Sequence, residues 1–109
     1  MSSFTRISPA DAKAMIDAGD VNIADIRDAM SYQSGHMTAS LNVDNSNLPE
    51  FLAATSKDQP LIVCCYHGNS SQQAAQFFAE QGYSQAYSLD GGYEMWKVSF
   101  PELCAQGQD

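Results

Sequence analysis

Two adjacent cysteines, Cys64 and Cys65, close the apolar run Leu61-Ile62-Val63, and the polar loop Tyr66-His67-Gly68-Asn69-Ser70-Ser71 follows before a helical pattern sets in at Gln72-Gln73-Ala74-Ala75. The stretch reads as strand, tight loop, helix. Such a loop aims several backbone N–H groups at one point, with the positive end of the following helix dipole behind it. A cysteine at its mouth is therefore activated as a thiolate nucleophile. A free cysteine has a pKa of about 8.5 and is mostly thiol at neutral pH; a value of about 7 ionises roughly half of it, at about 1.4 kcal/mol per unit. Two or three oriented amides and a helix terminus suffice for that. Strand alternation turns Cys64 into the core and leaves Cys65 beside the loop. Cys65 is thus the candidate nucleophile, and Cys64 a small buried residue.

The elements that must position this cysteine fit in one domain. The chain has 109 residues, 44% of them hydrophobic, and we take the domain as 1–109, with its core at about 4–101 and a loose tail at 102–109. The net charge of −8 argues against a general nucleic-acid or anionic-membrane surface, so an anionic substrate must be held by local dipoles and a few cations. No signal-like start or membrane-length apolar run is seen. Three cysteines, two of them adjacent, make no disulfide framework, and a cytoplasmic protein with reduced thiols is expected. No C-x-x-C is present, and His36 and His67 lack a paired ligand at a suitable spacing, so neither a metal nor another cofactor is expected.

Along the chain, Phe4 to Ile7 reads as a strand, and Ser8-Pro9-Ala10-Asp11 starts a helix with Ser8 as N-cap. Ala10, Ala14, Met15 and Ala18 are expected on one face of that helix, which Gly19 ends. Val21 to Ile26 is the second strand, with Asp25 and Arg27 at its end, where a parallel sheet presents functional groups. A short helix over 29–34 stops at Gly35, leaving His36 as a turn residue; Leu41 to Val43 is a brief strand, and 48–54 a helix with Pro49 in its first turn. After the central strand 61–64 comes the best helix of the chain, 71–81, with Ala74, Ala75, Phe77 and Phe78 on one side and Gly82 as its stop. Ala86 to Leu89 is a strand, Asp90-Gly91-Gly92 a turn, and about 93–100 the last helix, ended by Pro101, with Tyr93 and Trp96 as packing residues. This alternation predicts an α/β domain whose central five-stranded sheet is mainly parallel, with helices on both faces.

Three blocks, Asp25-Ile26-Arg27-Asp28, Cys65-Tyr66-His67-Gly68-Asn69-Ser70-Ser71 and Asp90-Gly91-Gly92-Tyr93-Glu94-Met95-Trp96, together resemble the rhodanese family. Asp25-Ile26-Arg27-Asp28, with Tyr32 and Gly35-His36 downstream, is similar to its first signature. Cys65-Tyr66-His67-Gly68-Asn69-Ser70-Ser71 is similar to its active-site loop, and Asp90-Gly91-Gly92-Tyr93-Glu94-Met95-Trp96 to its closing motif. The resemblance spans nearly the whole chain in the family's order and spacing, and it implies a rhodanese-like fold. It further implies ping-pong transfer in which the Cys65 thiolate takes the outer sulfur of thiosulfate, releases sulfite, and passes the sulfur from its persulfide to cyanide or a dithiol acceptor such as thioredoxin. By position, the N–H groups of residues 66 to 70 are expected to cradle that sulfur, with the Ser70 and Ser71 hydroxyls as further donors. Tyr66, His67, Gly68, Asn69, Ser70 and Ser71 thus form the expected substrate-binding loop. Asp25 and Arg27 are expected to brace it, Arg27 through an ion pair with Asp25 or Glu94. Many rhodanese loops carry arginine where this chain has Ser70, and His67 is the residue placed to compensate.

A cysteine-based phosphatase shares the fold but needs a loop one residue longer and an arginine to clamp phosphate. No arginine follows Cys65 in this chain. A sulfur-carrier or redox module, loaded and unloaded by protein partners, uses the same Cys65 and the same loop and remains the alternative.

Overall fold

A computed structural model describes residues 3–107; residues 1, 2, 108 and 109 of the expected 1–109 domain lie outside the described residues. The elements run β1 (Thr5–Ile7), α1 (Pro9–Ala18), β2 (Asn22–Asp25), α2 (Ala29–Ser34), β3 (His36–Met37), β4 (Leu41–Asn42) and α3 (Leu48–Ala54). They continue with β5 (Leu61–Cys64), α4 (Ser70–Glu80), β6 (Ala86–Leu89), α5 (Gly92–Ser99), a 3-10 turn at Pro101–Leu103 and β7 (Cys104–Ala105). Helix starts follow from local chemistry. Ser8 Oγ accepts the Asp11 N–H at 3.1 Å, and the Asp28 side chain accepts the Ser31 N–H at 3.1 Å, each satisfying an amide that the first helical turn leaves free.

The main sheet has the order β1-β6-β5-β2-β4, and each of its pairings is parallel. β5 lies in the middle, and its four residues are all buried, as a strand covered on both faces requires. One face packs Val63 and Leu61 against Phe51 of α3 and Ala75, Phe78 and Ala79 of α4. The opposite face packs Ile62 and Cys64 against Ala12 of α1 and Tyr93 and Trp96 of α5. Each fully buried Leu, Ile or Phe side chain contributes about 1.5–3 kcal/mol, so both layers clamp β5 firmly. The carboxyl end of this central strand is where Cys65 emerges.

Four expectations are corrected. Of the expected loose tail 102–109, the described residues 102–107 are not loose: Thr38 N–H bonds the Leu103 carbonyl at 2.9 Å, and β7 pairs antiparallel with β3, His36 against Ala105 and Met37 against Cys104. His36 is accordingly a buried strand residue, stacked on the Tyr32 ring at 3.8 Å, and not a turn residue. In α1, Ala10, Ala14 and Ala18 are exposed; Ala12 is buried with Met15 and Ile16 packed beside it, because this face covers more apolar surface than the alanine row. In α4, Phe77 is exposed, and the buried stripe is Ser71, Ala75, Phe78 and Ala79, the i, i+4, i+7, i+8 face turned to the sheet.

Candidate active site

Cys65 follows the last residue of β5, and the chain then folds over its sulfur. Gly68 N–H lies 3.1 Å and Ser71 N–H 3.3 Å from Cys65 Sγ, and Ser71 Oγ is 3.3 Å away. Ser71 is in the first turn of α4, whose N-cap residue Asn69 makes no side-chain cap bond, so the cysteine sulfur takes the place of a capping oxygen. Burial pushes the Cys65 thiol up, but the bonds from the Ser71 hydroxyl and N–H, the Gly68 N–H and the His67 N–H outweigh it, and the thiol lies below its ordinary value. Burial drives Cys64 the other way, well above it. The two neighbouring thiols are thereby shifted in opposite directions.

Backbone hydrogen bonds to the cysteine sulfur itself come from residues 68 and 71. Gly68 has a φ of +88°, the left-handed region, and a side chain there would meet the Gly91 nitrogen at 2.8 Å. Ser71 is buried, whereas Tyr66, His67, Asn69 and Ser70 are exposed and form the rim. The Tyr66 hydroxyl donates to the Asp28 carboxylate, which holds Asp28 down to about 2. Cys65 itself is only 3% exposed.

Two residues that the sequence reading gave no role of their own, Gly92 within the closing block and Ser88 within a strand, lie beside this loop. Gly92, with a φ of +58°, begins α5 directly behind the loop, where a Cβ would lie 2.5 Å from the Cys65 carbonyl oxygen. The contact lets α5 hold the peptide: Tyr93 N–H donates to the Cys65 carbonyl at 2.8 Å and Glu94 N–H to the Tyr66 carbonyl at 3.1 Å. Ser88 of β6 is fully buried, with its hydroxyl 2.7 Å from that of Ser71. A serine facing the core in a strand is the signal that could have drawn attention to it.

Arg27 and Asp25 form a buried fork. Arg27 Nε reaches Asp25 Oδ1 at 3.0 Å and Nη2 reaches Oδ2 at 2.8 Å, while Nη2 also donates to the Gly35 carbonyl at 2.6 Å. Burial opposes the guanidinium charge, and the Asp25 carboxylate more than offsets it, so Arg27 is held above its ordinary value. The Tyr93 ring centroid is 4.3 Å and the Tyr66 ring centroid 5.8 Å from the guanidinium carbon. Arg27 thus links the end of β2, the end of α2, α5 and the loop; its partner is Asp25, while Glu94 pairs with Lys97.

The "Rhodanese-like domain" family description matches residues 8–99. The chain is 52% identical over 101 residues to "Thiosulfate sulfurtransferase GlpE" of Stutzerimonas stutzeri (strain A1501), covering 93% of this chain and 92% of the relative. It is 50% identical over 109 residues to the protein of that description from Ectopseudomonas mendocina (strain ymp), covering 100% and 99%. Among solved structures, the crystal structure of a rhodanese-related protein from Thermoplasma volcanium superposes with a TM-score of 0.74 at 26% identity, covering 88% of this chain and 93% of that one.

Proposed function

The chain belongs to the rhodanese-like family and is a sulfurtransferase, and we propose that it moves sulfane sulfur from thiosulfate to a thiophilic acceptor through a persulfide on Cys65. The observation that carries this reading is the hydrogen-bonded sulfur, with Gly68 N–H at 3.1 Å and Ser71 N–H at 3.3 Å from Cys65 Sγ.

In the first half-reaction the Cys65 thiolate attacks the outer sulfur of thiosulfate. A Cys65 sulfur–sulfur bond forms, the sulfur–sulfur bond of thiosulfate breaks, and its electron pair leaves on sulfite. Charge is conserved: thiolate and dianion give persulfide anion and sulfite dianion. In the second half-reaction the acceptor attacks the outer persulfide sulfur, and the electron pair returns to Cys65. Cyanide leaves as thiocyanate; a thiolate, such as one from a dithiol protein like thioredoxin, takes the sulfur as its own persulfide. The oriented amides stabilise anionic sulfur in both half-reactions without reorganising, which is how a fixed dipolar site lowers a barrier.

The protein's own charge works against thiosulfate, with a formal net charge of −8. Both arginines are engaged, Arg6 with Asp90 and Arg27 with Asp25. Binding of the dianion therefore rests on loop amides and rim residues Tyr66, His67, Asn69 and Ser70, while Asp25 and Arg27 brace the loop from behind. A cytoplasmic location with reduced thiols fits a nucleophile of this kind.

The test is the stoichiometry of sulfite release on mixing with millimolar thiosulfate, in wild type and in single cysteine-to-serine variants. One sulfite per active site, saturating with thiosulfate, lost in Cys65→Ser and retained in Cys64→Ser, is expected. Loss only in Cys64→Ser would assign the nucleophile to the wrong neighbour. No sulfite release together with rapid loading by a protein persulfide would make the protein a sulfur carrier.

A further inference from the structure

The α4 face that packs on the sheet is apolar from Ala75 onward, yet at its first position two hydroxyls meet: Ser71 of α4 and Ser88 of β6, both fully buried and 2.7 Å apart. Ser88 lies on the same side of β6 as Ala86, a core residue, and pairs in register with Val63. Alanine or valine would serve the packing at that position without burying a hydroxyl. Among the described residues, the one hydrogen-bond partner of the Ser88 side chain is Ser71, and the second partner of the Ser71 hydroxyl is the sulfur of Cys65. The three groups therefore form a chain that ends on the nucleophile.

Counting protons along it gives the chain a direction. With Cys65 as a thiol, three protons share two links, and one proton has no acceptor in the chain. With Cys65 as a thiolate, two protons fill two links: Ser88 donates to Ser71, and Ser71 donates to the sulfur. We propose that Ser88 is a positioning residue for the Cys65 nucleophile, acting through Ser71 to aim and polarise the Ser71 O–H toward anionic sulfur. The proposal rests on the reading of Cys65 as the nucleophile and extends it to a residue one layer behind the loop. The persulfide anion draws on the same donor.

Cooperative strengthening of one hydrogen bond by another is roughly 10–30%, so against about one pKa unit for the Ser71 bond itself, removing Ser88 costs up to about 0.3 unit at Cys65, roughly twofold in thiolate fraction at neutral pH. The experiment follows the rate of Cys65 alkylation by iodoacetamide against pH, read by mass spectrometry in a Cys104→Ser background, with thermal melting confirming that each variant is folded. Neither substitution alters the titratable or charged groups on the neighbouring elements: Asp25 and Arg27 after β2, Cys64, Tyr66 and His67 around the loop, and Asp90, Tyr93 and Glu94 from the β6–α5 side. Ser88→Ala raises the midpoint by about 0.3 unit, and Ser71→Ala raises it by about one. The double variant matches Ser71→Ala alone, because Ser88 has no other route to the sulfur. An unchanged midpoint in Ser88→Ala, or an equal shift from Ser88→Ala with and without the Ser71 hydroxyl, overturns the relay. A wild-type midpoint at the ordinary value of about 8.5 instead overturns the reading of Cys65 beneath it. Wild type alone decides that case.

Discussion

Replacing Gly92 by alanine tests how the loop is held more severely than any change within the loop. The added Cβ lies 2.5 Å from the Cys65 carbonyl oxygen and equally close to the carbonyl carbon and oxygen of Tyr66, all backbone atoms with no rotamer to change. Ordinary contact begins at 3.4 Å, so α5 and the Cys65–Tyr66 peptide must separate by about 0.9 Å. That displacement stretches the Tyr93 and Glu94 N–H bonds that grip the peptide, now 2.8 and 3.1 Å. Two hydrogen bonds at about 1 kcal/mol each, and about 1 kcal/mol for alanine in the left-handed region, make a loss of about 3 kcal/mol. At roughly 4 °C per kcal/mol for a chain of this length, the melting temperature falls by about 12 °C. The chemistry suffers more, because a misplacement of about 1 Å costs on the order of 100-fold in rate. Steady-state thiocyanate formation from thiosulfate and cyanide, with a parallel melting curve, is the assay. A Gly92→Ala protein with wild-type kcat/KM and melting temperature would refute the claim that α5 sets the position of the nucleophile.

Two further outcomes follow from the electrostatics. Asp25→Asn leaves the Arg27 guanidinium, whose side chain is 3% exposed, without its counter-charge, and such a buried unpaired charge costs about 3–5 kcal/mol. Its melting temperature drops by about 12–20 °C on the scale of roughly 4 °C per kcal/mol, and a drop under about 2 °C would contradict the bracing role. Because the folded-state Cys65 thiol is held below its ordinary value, alkylation of the wild-type protein rises with pH and levels off before a free thiol does. The associated stabilisation is full above the unfolded value of about 8.5 and is lost as pH falls through the folded value. A Cys65 alkylation profile that coincides with that of a free thiol would contradict the hydrogen-bonded sulfur.

Much of the architecture is legible because the chain is punctuated locally. Ser8-Pro9 opens a helix, Gly35 and Gly82 close two, and the buried run 61–64 is too short and too apolar to be anything but a covered strand. The strand end at Cys64 and the loop that follows it are legible for the same reason, since the apolar run stops there and the polar residues begin. The fork of Asp25 and Arg27 could be anticipated from two opposite charges at the end of one strand. What escaped depends on partners distant in sequence. β3 and β7 have two residues each and pair across some seventy residues, so neither shows a period, and the segment after Pro101 looks unstructured when it is read alone. Ser88 and Gly92 are ordinary strand and turn residues until β6 and α5 are laid beside the loop. Phe77 and the alanine row of α1 mislead because apolar character reports what a face could bury, while the sheet covers only one stripe of each helix.

The central claim is a covalent sulfur on Cys65, and intact mass measures it directly. Wild-type protein treated with thiosulfate gains one sulfur, about 32 Da, and loses it on adding cyanide, as nucleophilic catalysis requires; Cys65→Ser gains nothing. A gain that persists in Cys65→Ser, or a wild-type protein whose mass never changes, would contradict it.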